Sequence, residues 1–216
     1  MTQAVLFDLD GTLADTAPDL SGALNRMRER RGLAPVAVDS LRRHASSGAR
    51  GLIGAGFGIA PGHVDYEPMR EEFLAQYEAH LMLESTLFDG VPALLDAIEA
   101  RGLAWGIVTN KIERFTLPLV DLLGLGQRAG CVVSGDTTAH AKPHPAPLLE
   151  AARRLDVAPD RCLYVGDDER DMQAARGAGM GAIVAGYGYL GSGTPPGDWD
   201  ADQIIDSPTA LLILLG

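Results

Sequence analysis

Asp8 and Asp10 stand one residue apart at the end of the apolar run Ala4-Val-Leu-Phe7, with Gly11-Thr12 directly after them. Neighbouring carboxylates make each other harder to ionise. A solvated turn, a bound metal, or a nucleophile with an acid beside it would each account for the pairing. Three more polar groups follow apolar runs: Thr109-Asn110-Lys111; Ser134-Gly135-Asp136, with Lys142-Pro143 a little later; and Gly166-Asp167-Asp168-Glu169-Arg170-Asp171. Together they offer several carboxylates, a hydroxyl, a side-chain amide and a lysine. That set suits a divalent metal and a phosphate. Mg²⁺ takes a few protein oxygens plus water and substrate phosphate, and Lys and Thr donate to phosphate oxygens.

The elements that must hold these residues can be read from pattern. Ala4–Phe7 is a short apolar run of the kind found in buried parallel strands. Further strands are expected at 104–108, 131–133, 162–165, 182–184 and 203–205. Helical spacing falls between them, over 91–100, 112–123, 145–155, 169–176 and 208–215. Alternation of this kind predicts an α/β fold, a doubly wound, Rossmann-like parallel sheet. In such a sheet ligands bind outside the carboxyl ends of the strands, which is where all four polar groups fall.

Residues 16–83 break the rhythm. Helices are expected over 18–31 and 66–83, with Asp15 or Thr16 capping the first and Gly32 ending it. The stretch 41–58 is Gly-rich and less regular. We read 16–83 as an inserted α-helical cap domain, 1–15 and 84–216 as the core domain, and Leu13–Thr16 as the first hinge between them.

Composition narrows the function. A net charge of −11 argues against a nucleic-acid partner, which needs a basic face. With 46% hydrophobic and 22% charged residues the chain reads as an ordinary globular protein. No apolar run reaches the roughly 18 residues of a membrane span, and no signal peptide is visible, so a cytoplasmic protein without a membrane partner is expected. Cys131 and Cys162 lack metal-ligand spacing and read as buried free thiols. Gly186-Tyr-Gly188-Tyr-Leu-Gly191 fits a dinucleotide fingerprint, but Pro195-Pro196-Gly197 follow where a helix should open. It reads as a loop beside the site.

The motifs D-x-D-G-T at Asp8–Thr12, T-N at Thr109, K-P at Lys142 and G-D-x-x-x-D at Gly166–Asp171, in that order, resemble the haloacid dehalogenase-like phosphatases across nearly the whole chain. The resemblance implies that Asp8 attacks phosphorus and becomes an aspartyl-phosphate. Asp10 would protonate the leaving oxygen and then activate water. Mg²⁺ would bind Asp8, the backbone carbonyl of Asp10, and Asp167. Thr109 and Lys142 would hold the phosphoryl oxygens. Asp171 would orient Lys142 or a metal-bound water, and Asn110 and the backbone near Leu9 would be extra phosphate donors. Asp168 stands where many relatives carry Ser, and competes with Asp167 as a metal ligand. On the residues alone, Thr109 could instead cap the next helix, and Lys142 could be a surface lysine.

Several chemistries share this scaffold. A dehalogenase has no need of Asp10. A phosphonatase uses a cap lysine, and residues 16–83 contain none. A sugar phosphomutase stays open, as does, less favoured, a noncatalytic binding module. More narrowly, Thr16-Ala-Pro-Asp19, Ser47-Gly-Ala-Arg50, Leu87-Phe-Asp-Gly90, Trp105–Lys111 and Tyr187-Gly-Tyr189 resemble the phosphoglycolate phosphatase group and the bacterial N-acetylmuramic acid 6-phosphate phosphatases. Both groups imply a small phosphate ester that also bears a carboxylate. Arg50, in the cap, is the candidate to pair with that carboxylate; a solvated surface arginine is its plainer reading. Arg43 and His44 are weaker candidates.

Overall fold

In the computed structural model, which describes all 216 residues, the first strand β1 (Ala4–Phe7) is central and buried throughout. Its side chains alternate between two apolar clusters. Val5 and Phe7 enter one, and Ala4 and Leu6 the other, as the period of two requires. The remaining core strands are β4 (Ala104–Val108), β5 (Cys131–Val133), β6 (Cys162–Gly166), β7 (Gly181–Ala185) and β8 (Gln203–Ile205). They form one sheet in the order β5-β4-β1-β6-β7-β8, and every pairing is parallel.

Helices cover both faces. α5 (Val91–Ala100), α6 (Glu113–Leu122) and α9 (Leu211–Leu215) pack on the Val5–Phe7 side. α7 (Ala146–Leu155) and α8 (Glu169–Ala178) pack on the other. This is the expected doubly wound α/β architecture. From β1 the chain builds outward through β4 and β5, then returns to β6 on the opposite side of β1. The order therefore reverses beside β1, and a crevice at the carboxyl ends of β1 and β6 follows from the topology.

Between β1 and α5 the chain makes four helices: α1 (Ala17–Glu29), α2 (Val38–Ala45), α3 (Gly48–Phe57) and α4 (Tyr66–Glu78). They bury a third apolar cluster that includes Leu24, Met27, Leu52, Phe73 and Tyr77, joined by Phe115 of α6 and by Tyr189. Two of these helices lie where the sequence looked irregular. Gly is a poor helix former, yet α3 holds four of them, and packing explains at least one. A Cβ on Gly56 would lie 2.7 Å from Leu24 Cδ2, so only glycine lets α3 approach α1 this closely.

Two short strands, β2 (Ala14–Asp15) and β3 (Thr86–Leu87), pair antiparallel where the chain leaves and re-enters the core. Asp19 ties the same crossing: its carboxylate accepts from Glu84 N–H at 3.0 Å, Ser85 N–H at 2.9 Å and Ser85 Oγ at 2.5 Å.

Candidate active site

The parallel register sets Phe7 beside Val165, and the Asp8 N–H donates to the Val165 carbonyl at 2.9 Å. Asp8 and Asp167 thus leave neighbouring strand ends together. Asp167 is fully buried and accepts from Thr12 Oγ1 at 3.1 Å and from the Tyr189 N–H at 2.8 Å. Gly11 must be glycine here: its φ is +86° and a Cβ would sit 2.1 Å from Asp167 Oδ2.

Lys142 is buried and reaches this pair from the loop after β5. Its Nζ lies 3.0 Å from Asp8 Oδ1 and 2.7 Å from Asp171 Oδ1, and donates to the Val108 carbonyl at 3.0 Å and the Tyr164 hydroxyl at 2.7 Å. It is therefore no surface lysine. Burial alone would lower its pKa; Asp171 and then Asp8 outweigh burial, so the pKa ends above its ordinary value and the ammonium stays charged. Asn110 fixes the lysine's backbone from both sides. Its Nδ2 donates to the Lys142 carbonyl and its Oδ1 accepts from the Lys142 N–H, each at 2.9 Å. The amide expected to meet phosphate is thus engaged in holding the lysine loop. Thr109 is buried on the rim of the same cavity, and its Oγ1 accepts from the Lys111 N–H at 3.1 Å. That bond closes a local turn; the next helix, α6, begins only at Glu113.

Asp171 and Asp168 share a capping box at the start of α8. Asp168 accepts from the Arg170 N–H at 3.0 Å, and Asp171 Oδ2 accepts from the Asp168 N–H at 3.1 Å. Both Asp168 oxygens are also gripped by Arg170, Nε at 2.7 Å and a terminal nitrogen at 2.9 Å. Burial works to raise the Asp168 carboxyl, but Arg170 outweighs it and holds it below its ordinary value. Asp168 is absent from the tight carboxylate group, so the competing-ligand reading gives way to a structural one.

That tight group consists of Asp8, Asp167 and Asp171, whose oxygens lie within 4.8 Å of one another. Burial pushes Asp8 up to about 7, with Lys142 opposing and Asp171 and Asp10 adding to the rise. Burial, and then Asp8 and Asp171, raise Asp167 well above the carboxylate range. Ionising all three beside one ammonium would leave two uncompensated negative charges in a buried pocket. Asp8 Oδ1, though near Lys142, accepts no well-aligned hydrogen bond. The donor set is all oxygen, which suits Mg²⁺. The residues present therefore fit a divalent cation. Asp171 is the least available of the three, since Lys142 and the Asp168 N–H occupy its oxygens.

Asp10 faces the cavity from the other side. Its Oδ1 accepts from Thr16 Oγ1 at 2.5 Å and lies 3.2 Å from Lys111 Nζ. Lys111 also donates to the Tyr77 hydroxyl at 3.1 Å, with its ammonium 4.6 Å from the Tyr77 ring centre. Burial opposes the Lys111 charge, but Asp10 and Tyr77 prevail and raise its pKa. The sequence offered two clues to this lysine: it sits in the polar group Thr109-Asn110-Lys111 after an apolar run, and it is one of only two lysines in the chain. Nothing local pointed to Tyr77, which arrives on α4.

Tyr189 was equally hidden, in the loop that mimics a dinucleotide fingerprint. Besides its bond to Asp167, its hydroxyl accepts from the N–H groups of Thr16 at 2.7 Å and Ala17 at 2.9 Å, and donates to Asp15 Oδ1 at 3.0 Å. Tyr189 therefore caps α1, where Asp15 or Thr16 was expected to; Asp15 Oδ1 shares the task by accepting from the Ala17 N–H at 3.3 Å, while the Thr16 hydroxyl goes to Asp10.

Asp8, Asp10, Thr109, Lys111, Lys142 and Asp171 line a cavity of about 320 Å³ roofed by Ser46–Arg50, Tyr66, Arg70 and Phe73. Arg50, in the first turn of α3, is exposed on this wall and forms no ion pair within the chain. Arg43 and His44 do not line the cavity.

A buried ammonium among carboxylates at the carboxyl edge of a doubly wound sheet is an arrangement suited to α/β enzymes that act on anionic groups. Residues 5–185 match the family model described as haloacid dehalogenase-like hydrolase, and the chain belongs to that family. It is 43% identical to an N-acetylmuramic acid 6-phosphate phosphatase of Pseudomonas aeruginosa, over 99% of this chain and 94% of that one. It is 45% identical to a phosphoglycolate phosphatase of Xanthomonas campestris pv. campestris, over 97% and 94%. A crystal structure of a predicted phosphoglycolate phosphatase from Haemophilus somnus superposes with a TM-score of 0.86 at 25% identity, covering 100% of this chain and 98% of that one. The chain is a phosphoric monoester hydrolase of this family. No helix is long and apolar enough to cross a membrane.

Proposed function

We propose that the protein is a Mg²⁺-dependent phosphomonoesterase acting on a small, carboxylate-bearing phosphate ester through an aspartyl-phosphate on Asp8. The observation that carries this reading is the setting of Asp8: buried, 3.0 Å from the Lys142 ammonium, with an oxygen that accepts no aligned hydrogen bond, at the floor of the cavity.

In this reading an Asp8 oxygen forms a bond to phosphorus as the ester oxygen leaves, taking a proton from Asp10. Asp10 then accepts a proton from water, whose oxygen attacks phosphorus and releases inorganic phosphate and the Asp8 carboxylate. Lys142 and Thr109 hold the phosphoryl oxygens where charge grows. Asp171, Tyr164 and Asn110 fix the lysine. Mg²⁺, held by Asp8, Asp167 and the backbone carbonyl of Asp10, would neutralise the charge that otherwise keeps Asp8 from an anionic substrate.

Residues 16–83 serve as the cap, moving about the paired segments at Ala14–Asp15 and Thr86–Leu87. Arg50 receives the substrate carboxylate. The substrate is 2-phosphoglycolate or N-acetylmuramic acid 6-phosphate, the esters named for similar proteins. The cavity, about 320 Å³, is at the lower end of the ~300–1,000 Å³ range of ligand pockets, more than a two-carbon acid needs. That keeps the hexose ester in the reading.

Phosphate release from 2-phosphoglycolate, N-acetylmuramic acid 6-phosphate and plain hexose phosphates, with and without Mg²⁺, is the test. We expect Mg²⁺-dependent release, fastest from one of the two carboxylate esters. Isomerised hexose phosphate without net release would instead establish a mutase.

A further inference from the structure

Arg170 is not one of the residues the reaction above uses, yet it lines the cavity and is among the most heavily bonded side chains there. Its guanidinium grips Asp168 with two nitrogens and extends a third bond, at 2.8 Å, to the backbone carbonyl of Ser46. Ser46 follows the last residue of α2 as its C-cap and lines the cavity. The last carbonyls of a helix lack intrahelical partners and carry partial negative charge. A guanidinium delivered from the start of α8 meets that need across the gap between cap and core. The turn it seizes, Ser46-Ser47, runs straight into Gly48, the first residue of α3, and so sets where Arg50 stands.

The same geometry accounts for Asp168. Asp168 N-caps α8 and holds the guanidinium plane toward the cap. Two nitrogens are fixed on the core, and one terminal nitrogen also reaches the cap.

We propose that Arg170 is a positioning residue that latches the cap turn 46–48, and through it Arg50, over the catalytic rim, and that Asp168 is present to aim it. This rests on the reading of residues 16–83 as a cap over a phosphatase site.

Hydrogen–deuterium exchange tests it on the whole chain, comparing wild type with Arg170→Met, Asp168→Asn and the double variant. Asn remains a good N-cap, so Asp168→Asn removes the charge and one of the two oxygens that grip Arg170 while leaving the start of α8 intact. Exchange in peptides covering 41–52 should rise roughly tenfold in each single variant and no further in the double, while β1 peptides stay unchanged. In parallel, KM for the carboxylate-bearing ester should rise about tenfold in Arg170→Met with kcat falling less than threefold. Arg170→Gln, which keeps a donor without the charge, replaces Arg170→Met if that variant does not fold.

Unchanged exchange over 41–52, or equal acceleration in β1, would overturn the latch. So would additive effects in the double variant, or a fall in kcat with KM unmoved. Exchange is read without turnover. An inactive wild type would therefore sink the phosphatase reading and leave the latch standing.

Discussion

Lys142 Nζ lies 3.0 Å from Asp8 Oδ1, and the same ammonium lies 2.7 Å from Asp171. The lysine is thus strung between the proposed nucleophile and a helix-capping aspartate. Removing one preorganised donor to a charge that develops in the transition state costs about 10²–10³ in kcat. Lys142→Met should lose at least about 100-fold in kcat. Mg²⁺ affinity, read by calorimetry, should not weaken, because the carboxylates lose a competitor for their charge. Lys142→Arg should not rescue turnover, since a planar fork cannot replace a point charge with four close partners.

Lys111 links the proposed acid–base residue to the proposed cap: Asp10 on one side, Tyr77 of α4 on the other. Lys111→Met should lower kcat roughly tenfold, part of the ~10²–10⁴ that positioned acid–base catalysis supplies. Tyr77→Phe keeps the ring beneath the ammonium and loses only the hydroxyl, so its effect should be smaller. Steady-state kinetics on both variants check the order; a larger loss in Tyr77→Phe would contradict it.

Much of this was legible in the sequence, for a physical reason. Every strand of the core sheet is apolar enough to show, and parallel topology forces each strand's next residues to one edge. Asp8, Asp10, Thr109, Lys142 and Asp171 could therefore be assembled on one rim without coordinates, and all of them line the cavity, with Asp167 beneath it. What stayed hidden depends on contacts far apart in the chain. Tyr189 meets Thr16 across 173 residues and Arg170 meets Ser46 across 124. β2 and β3 are two residues long and have no period to detect. α3 escaped notice because four glycines lower its helix propensity, one of them, Gly56, serving close packing against α1.

Asp19 ties the two crossings between the sheet and the proposed cap with three hydrogen bonds, all from Glu84 and Ser85. A buried bond to a charged group is worth about 1.5–3 kcal/mol, and such bonds are not additive. Asp19→Ala should cost about 3 kcal/mol and lower Tm by roughly 6–12 °C in a chain of this size. Calorimetry or near-UV melting reads this directly. A Tm within about 2 °C of wild type would mean that the β2–β3 pair holds the crossing alone.

Burial pushes the thiols of Cys131 and Cys162 each up to about 11. The folded value lies above the unfolded one, so both thiols stay protonated in the native protein when the unfolded chain begins to ionise. Their contribution is fully present below about pH 9 and is lost as pH rises toward 11. Native protein at pH 8 should react with a thiol reagent far more slowly than denatured protein. Between pH 9 and 11 the Cys131→Ala variant should lose stability less steeply than wild type, and denaturant melts across that range check the slope.

The central claim is that Asp8 is the nucleophile, and Asp8→Asn is nearly isosteric with it. Mg²⁺-dependent phosphate release by wild type and Asp8→Asn, on the best ester from the substrate panel, tests that claim most directly. We predict release at background in Asp8→Asn with a Tm no lower than that of wild type, since burial already disfavours the charged carboxylate. Substantial Mg²⁺-dependent turnover in the folded Asp8→Asn protein would contradict it.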